Sequence, residues 1–223
     1  MSEQVALPTI ACREVVGTMQ IDGRLDEPAW RAAEHVGLDL NAGGQPRCAT
    51  SVAVLWDPAV LYIGFKCEDP DPKGSMTQRD DPIWEDGNVV EVFLDPAGEG
   101  RSFYEFEVNP INTLLDLFFE DRDQHWKQAR RWDAQRTQTA VDIQKSPDDK
   151  EVIGWSVEIA IPFENFHTAP QLPPSPDDCW RVNFYRYNTL ADLPGDGQEL
   201  SAWSSTLVGK FDVPERFGFM RFC

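Results

Sequence analysis

Hydrophobic and polar residues alternate along several short segments of this chain, a pattern typical of β-strands that bury one face. Val90, Val92 and Leu94 share one side of such a segment. Glu91 and Phe93 lie between them and point to the other side. The same pattern predicts nine strands, at 51–56, 61–67, 89–94, 103–109, 113–119, 139–144, 152–161, 180–188 and 217–222.

Turn residues such as Asp57-Pro58 separate these segments, so neighbouring strands are expected to pair antiparallel. Only 27–33 and 124–131 indicate helices, and both are short. The prediction is an all-β fold, a β-sandwich of two antiparallel sheets of immunoglobulin-like or DOMON-like type, with few short helices. Its predicted core residues are Val90, Val92, Tyr104, Phe106, Val108, Trp155, Val157, Ile159 and Val182.

Polar side chains collect on one side of these strands. The polar positions are Glu91, Glu105, Glu107, Asn109, Asp116, Asn183, Tyr185 and the nearby Arg186. Two interpretations stay open at this point. The face is either a concave binding surface or a solvated outer surface with ion pairs across the strands.

The chain has 223 residues, which suits a single domain over 1–223, and a formal net charge of −18. This charge repels phosphate and anionic lipid, so we expect no nucleic-acid or membrane partner. The first eight residues contain no signal-peptide pattern, and the five scattered cysteines indicate free thiols. Both observations predict a cytoplasmic protein, or a secreted one whose leader has been removed.

Acidic residues also cluster in two loops. They are Glu68, Asp69 and Asp71 after one predicted strand, and Asp80, Asp81, Glu85 and Asp86 before another. Carboxylate oxygens are the ligands that Ca²⁺ prefers, so these residues are candidates for a structural calcium site. The alternative is that they only keep the loops soluble.

Trp84 stands in the second acidic loop, directly before the strand that carries Glu91. An aromatic ring beside a carboxylate suits a sugar, because the C–H face stacks on the ring and the hydroxyls donate to the acid. Trp126 is expected to plug the edge of the sandwich rather than contact ligand, and Trp30 to anchor the N-terminal segment in the core. No pair of acids, catalytic triad or HExxH motif indicates catalysis.

Eight segments, in order, resemble the family 9 carbohydrate-binding modules and their DOMON-type relatives. They are IDGRLDEPAW at 21–30, VLWD at 54–57, LYI at 61–63, WED at 84–86, VEVF at 90–93, VNP at 108–110, IAIPF at 159–163 and FG at 217–218. The resemblance implies a β-sandwich, structural Ca²⁺, and a slot for the end of a glucan or xylan chain between two aromatic side chains. Such modules act without catalysis, often alongside a glycoside hydrolase.

Carried over by position, Trp84 and Phe211 match the two aromatic walls of that slot, and Glu91 matches a carboxylate that contacts ligand. The chain departs from the family at three places: Phe211 replaces a tryptophan, Glu107 a basic residue, and Tyr185 an amide side chain. We therefore predict an oligosaccharide or polysaccharide partner. The predicted site consists of Trp84, Glu91, Glu107, Asn109, Tyr185, Arg186 and Phe211.

A second function comes from DOMON-type relatives that bind haem for electron transfer through an axial methionine. Met19, Met76 and Met220 are the candidate ligands in this chain. A haem slot needs an extensive apolar lining, whereas the predicted face is acidic. Carbohydrate binding is the interpretation that we favour.

Overall fold

The computed structural model describes residues 6–190 and 197–223, and strands dominate them. The thirteen strands are β1 (Thr9–Glu14), β2 (His35–Gly37), β3 (Asp39–Leu40), β4 (Thr50–Trp56), β5 (Val60–Glu68), β6 (Val89–Asp95), β7 (Phe103–Val108), β8 (Leu114–Phe119), β9 (Gln138–Lys145), β10 (Val152–Pro162), β11 (Cys179–Thr189), β12 (Gln198–Ala202) and β13 (Gly218–Phe222). The helices are α1 (Pro28–Ala32), α2 (Trp126–Ala129) and three single 3₁₀ turns at Ile83–Glu85, Phe163–Asn165 and Pro214–Arg216. The all-β prediction with few short helices is confirmed.

The strands form one continuous sheet in the order β8-β7-β6-β11-β13-β1-β4-β5-β10-β9, with β2, β3 and β12 attached beside it. The strand that joins its two arms is β1. Its first part pairs parallel with β13, and its end, at Arg13 and Glu14, pairs parallel with β4. Every other strand pairing among the described residues is antiparallel.

The two antiparallel arms correspond to the two predicted sheets, but they are not fully distinct, because β1 pairs with a strand of each. Alternation along one strand reveals which face is buried, but not which strands lie at its two edges. The N-terminal strand therefore gave no sign that it would close the gap between the arms.

The main core lies between the two arms. Phe184 on β11 meets Phe65 on β5 with the ring centroids 6.1 Å apart. All nine residues predicted for the core have 0% exposure and belong to this cluster, so that prediction is confirmed. The five cysteines are free, as expected.

The N-terminal segment is anchored through Trp30, which is buried as predicted. Its indole N–H donates to Glu158 Oε1 over 2.8 Å. The other oxygen of Glu158 accepts from the backbone N–H groups of Asp22 and Gly23, each over 2.8 Å. One carboxylate on β10 therefore holds both the turn and the helix that follows it.

Neither α-helix in the described part of the chain is long and apolar enough to cross a membrane.

Gly23 is expected to be the most sensitive glycine of this anchor. Its φ is +88°, and a Cβ there would lie 2.6 Å from the backbone nitrogen of Asp142. Gly43 has a similar φ of +92° but open space around it. We expect Gly23→Ala to lower the free energy of unfolding by about 3 kcal/mol, and Gly43→Ala by about 1 kcal/mol, in chemical denaturation. Equal losses would contradict close packing of the Gly23 turn.

Candidate functional site

Three glutamates form the floor of a pocket on the outer side of the sheet, the side opposite the main core. Glu91 on β6 stands directly across from Glu107 on β7, and Glu105 stands across from Phe93. Alternation places all three side chains on the same face. Their exposed fractions are only 2%, 7% and 1% for Glu91, Glu105 and Glu107. One carboxylate oxygen from each can be chosen so that the three lie within 4.8 Å of one another.

These three residues, hereafter the acidic floor, strongly disfavour full ionisation. Burial raises the pKa of Glu91 well above its usual range, and the charge of Glu105 raises it further. Burial likewise raises the pKa of Glu107, with the charges of Glu91 and Glu105 adding to the effect. Burial raises the pKa of Glu105 to about 7, with the charge of Asp212 adding and a hydrogen bond to Glu107 opposing.

One wall of the pocket is a pair of tryptophans. Trp84 lies on the 3₁₀ turn Ile83–Glu85, and Trp126 begins α2. Their rings meet edge to face, 4.9 Å apart at 89°. Both are partly exposed and line the pocket. Trp126 lies at the sheet edge, as expected, because α2 packs against the edge strand β8, and it also lines this pocket.

The opposite wall is Phe211, whose ring stacks on Tyr185 with centroids 4.1 Å apart at 13°. Tyr185 also donates its hydroxyl to the carbonyl of Phe211 over 2.9 Å. The edge of Phe211 meets Tyr187, with centroids 5.1 Å apart. Because it is packed in this way, Phe211 is only 4% exposed.

The loop that carries Phe211 is held from behind by Asn41 and Thr206. The Asn41 amide donates to Thr206 Oγ1 and to the carbonyl of Val208, and its oxygen accepts from the Thr206 backbone N–H over 2.8 Å. Thr206 Oγ1 in turn donates to the carbonyl of Lys210 over 2.8 Å. These contacts fix the wall before any ligand arrives.

The pocket between these walls has a volume of about 560 Å³. Its aromatic lining is Trp84, Phe93, Phe119, Trp126, Tyr187 and Phe211, and its polar lining includes the acidic floor together with Arg122, Asp123, Gln124, His125, Lys210 and Asp212. Glu105, Trp126 and Tyr187 were not among the predicted site residues. Glu105 and Tyr187 could have been found from their shared parity with Glu107 and Tyr185, whereas the position of Trp126 depends on long-range packing.

Four predicted site residues, Trp84, Glu91, Glu107 and Phe211, therefore line one pocket. Tyr185 lies one layer deeper, fully buried beneath Phe211. Asn109 lies beyond the end of β7, where its side chain bonds to the backbone of Met76, Ile111 and Thr113.

Arg186 and Asp116 correct the expected polar face. Arg186 follows Tyr185 directly, so alternation turns it inward, where it donates to Asp69 Oδ2 over 3.0 Å. Asp116 stands across from the core residue Phe106 and accepts from Arg79 over 2.6 Å. Neither residue reaches the pocket. Each is instead a buried acid or base with a partner of opposite charge.

The predicted calcium ligands do not fit one site. Asp69 Oδ2 already accepts hydrogen bonds from the side chains of Asn88, Trp155 and Arg186. Its Oδ1 atom accepts from the backbone N–H of Asp71.

The remaining candidates have separate local contacts. Asp86 accepts hydrogen bonds from the Ser75 hydroxyl and the Met76 backbone N–H. Glu68 and Asp81 each accept from a backbone N–H, of Ala49 and Gln78 respectively, and Asp71 forms an ion pair with Lys73. Of the seven acids, only Asp80 belongs to a carboxylate group within 4.8 Å, with Asp116 and Asp133, as far as residues 6–190 and 197–223 show. Calcium binding stays a prediction.

Comparison with known sequences decides the family. A sequence model of carbohydrate-binding family 9 matches residues 21–222. The chain belongs to carbohydrate-binding family 9. No curated protein sequence matches this family 9 chain significantly.

Solved structures share the fold of the family 9 chain at low sequence identity. One of them is a Bacteroides uniformis protein that has been assigned as carbohydrate-binding. It aligns with a TM-score of 0.73 and 18% identity over 98% of this chain and 100% of that one. A family 9 module from Caldicellulosiruptor kristjanssonii with cellotriose aligns with a TM-score of 0.68 and 16% identity over 96% and 93%. The structure of a family 9 module from the same organism with glucose aligns with a TM-score of 0.66 and 17% identity, over 97% of this chain and 96% of that one.

The acidic floor predicts an unusual pH dependence for the stability of the family 9 chain. The pKa of Glu105 is about 7 when folded, against about 4.3 in an unfolded chain. Between these values the folded state binds more protons, so the free energy of unfolding falls as pH rises. We expect Glu105→Gln to stabilise the chain at pH 8, by on the order of 2 kcal/mol, and to have little effect at pH 4.

Thermal unfolding of both proteins from pH 4 to pH 8 measures this difference. Glu85→Gln is the matched control, because Glu85 is exposed and lies outside the pocket. A Glu105→Gln effect that is the same at every pH would contradict the raised pKa.

Proposed function

We propose that this chain binds carbohydrate without catalysis, holding the end of a β-glucan or xylan-type chain in the pocket between Trp84 and Phe211. The observation that carries the proposal is that two aromatic walls and several buried carboxylates line a single pocket of about 560 Å³. Pockets for small ligands have volumes in this range, and this one could hold one or two sugar units.

The lining supplies both kinds of contact that a pyranose needs. Aromatic rings on opposite walls offer surfaces for the C–H faces of the sugar, and carboxylate oxygens below accept hydrogen bonds from its hydroxyls. The related module from Caldicellulosiruptor kristjanssonii was solved with cellotriose and with glucose, which supports a glucan-type ligand.

The depth of the floor supports binding to a chain end. Glu91 and Glu107 are almost fully buried, so a sugar must insert a terminal unit between the walls to reach them. Glycoside hydrolysis requires two carboxyl groups on either side of the scissile bond. The floor glutamates project together from the same face of adjacent strands, and we assign them a binding role. We extend the proposal to a place beside a glycoside hydrolase, where such a domain would keep polysaccharide close.

Haem binding is the weaker proposal. Among the described residues, no methionine lines the pocket. Met220 is buried in the main core, and Met19 packs against the cluster around Trp30. Only Met76 packs against the cluster on the pocket side of the sheet.

Calorimetric titration with cellotriose and xylotriose tests the carbohydrate proposal. We expect a dissociation constant on the order of micromolar to millimolar. Trp84→Ala should weaken binding at least tenfold through lost stacking, while lowering the free energy of unfolding by only about 1 kcal/mol, because the indole is partly exposed.

Trp132→Ala is the matched control. Trp132 packs on the main core, 5.2 Å from Tyr104, and lies outside the pocket. This variant should lose stability but keep the parent affinity. If Trp84→Ala binds as well as the parent, or if neither oligosaccharide binds, the assignment of this pocket to a glycan end is wrong.

A further inference from the structure

The acidic floor has no cationic partner. No lysine, arginine or histidine nitrogen pairs with Glu91, Glu105 or Glu107 within residues 6–190 and 197–223. Buried carboxylates are normally paired or hydrogen-bonded, because an isolated charge in a dry site is strongly disfavoured. Glu105 and Glu107 share a hydrogen bond, but the three carboxyl groups together have no counter-charge from the described residues.

One oxygen in particular is left without a partner. Glu107 is 1% exposed, and its Oε2 atom has no hydrogen-bond donor in the described part of the chain. Glu107 also lines the pocket. The structure therefore presents a buried acceptor that a donor on a ligand could reach.

The cations at the pocket rim are engaged elsewhere. Arg122 pairs with Glu215, and Lys210 pairs with Asp212 over 3.1 Å. Lys127 and Arg130 each lie 5.5 Å from the centre of the Trp126 ring. None of these groups, nor His125 in the pocket lining, pairs with the floor. The floor charge is therefore relieved either by protons on the carboxyl groups or by a cation from outside the chain.

The walls favour an organic cation over a metal ion. Ca²⁺ takes six to eight oxygen ligands in a close cage, whereas six aromatic side chains surround this floor. Aromatic faces attract an ammonium group and stack on the carbon skeleton that carries it. A volume of about 560 Å³ also exceeds the needs of a single ion.

We propose that the pocket selects a sugar whose ring carries a protonated amine, as in a glucosamine unit, with the ammonium group donating to Glu107 and Glu91. The ring lies between the tryptophan pair and Phe211. This inference rests on the proposed function and specifies its ligand class. A neutral sugar would leave the acidic floor without a counter-charge, while an amino sugar supplies one.

Calorimetric titration at pH 6.5 with three probes tests the inference: a β-1,4-linked glucosamine dimer, its N-acetylated form and cellobiose. We expect the free amine to bind at least tenfold more tightly than either neutral dimer. Its affinity should fall severalfold between 50 and 500 mM NaCl, because the contact is ionic. Cellobiose binding should change little with salt.

Glu107→Gln should reduce the ratio of cellobiose to glucosamine-dimer dissociation constants to about one. Glu91→Gln is a second variant with the same expected direction. Glu85→Gln removes the same charge from an exposed position outside the pocket and should keep the parent ratio. A parallel loss in Glu85→Gln would mean that overall charge, and not the floor, draws the amine, and would overturn the inference.

The remaining outcomes separate the two proposals. If cellobiose binds as tightly as the glucosamine dimer, the amine selectivity is wrong while carbohydrate binding stands. If none of the three sugars binds, both proposals fail. Titration with CaCl₂ covers the competing ligand: micromolar binding of Ca²⁺ that Glu107→Gln abolishes, and that excludes the amine, would make the floor a metal site and overturn the inference.

Discussion

The buried ion pair of Arg186 and Asp69 is the constraint on which the site depends. Arg186 belongs to β11 in one arm of the sheet, and Asp69 follows β5 in the other, and both side chains are 1% exposed. Arg186 also donates to Thr50 on β4, and Asp69 accepts from Trp155 on β10. Removing one partner of such a pair leaves a buried charge uncompensated, which typically costs about 3–5 kcal/mol. The register of β11 is therefore strongly fixed.

The fixed register determines what lies under the pocket. Because successive side chains alternate, holding Arg186 inward forces Tyr185 and Tyr187 outward. Tyr185 then supports the ring of Phe211, and Tyr187 closes its edge. A polar contact inside the fold thus sets the position of an aromatic wall on the other side of the sheet. The acidic floor has the opposite effect on stability, since its buried glutamates lower the free energy of unfolding at neutral pH.

Local patterns in the sequence were sufficient for the strands and the core. Val90, Val92 and Phe106 alternate with polar neighbours, and this alone identified the buried side of β6 and β7. The resemblance to family 9 added the pairing of Trp84 with Phe211, two residues that the fold brings to one pocket although 126 positions separate them in the chain.

What depends on distant partners could not be read from the chain. Nothing near β1 indicated that it would join both arms, and nothing near Asp69 indicated that an arginine from β11 would occupy it. The contact of Trp126 with Trp84 could not be predicted for the same reason, because the two residues belong to different loops. Acidic loops likewise look alike in sequence, whether their carboxylates converge on an ion or cap backbone N–H groups one by one.

The two walls of the pocket are held in place by different contacts. Phe211 is stacked on a buried tyrosine, and its loop is bound by Asn41 and Thr206. Trp84 and Trp126 lie on a single 3₁₀ turn and a four-residue helix, and their rings touch edge to face. Ligands of different width would accordingly be accommodated by displacement of the tryptophan side alone. In the proposed complex, Phe211 would set the orientation of the first sugar ring, and the tryptophan pair would determine which substituents the ring can carry.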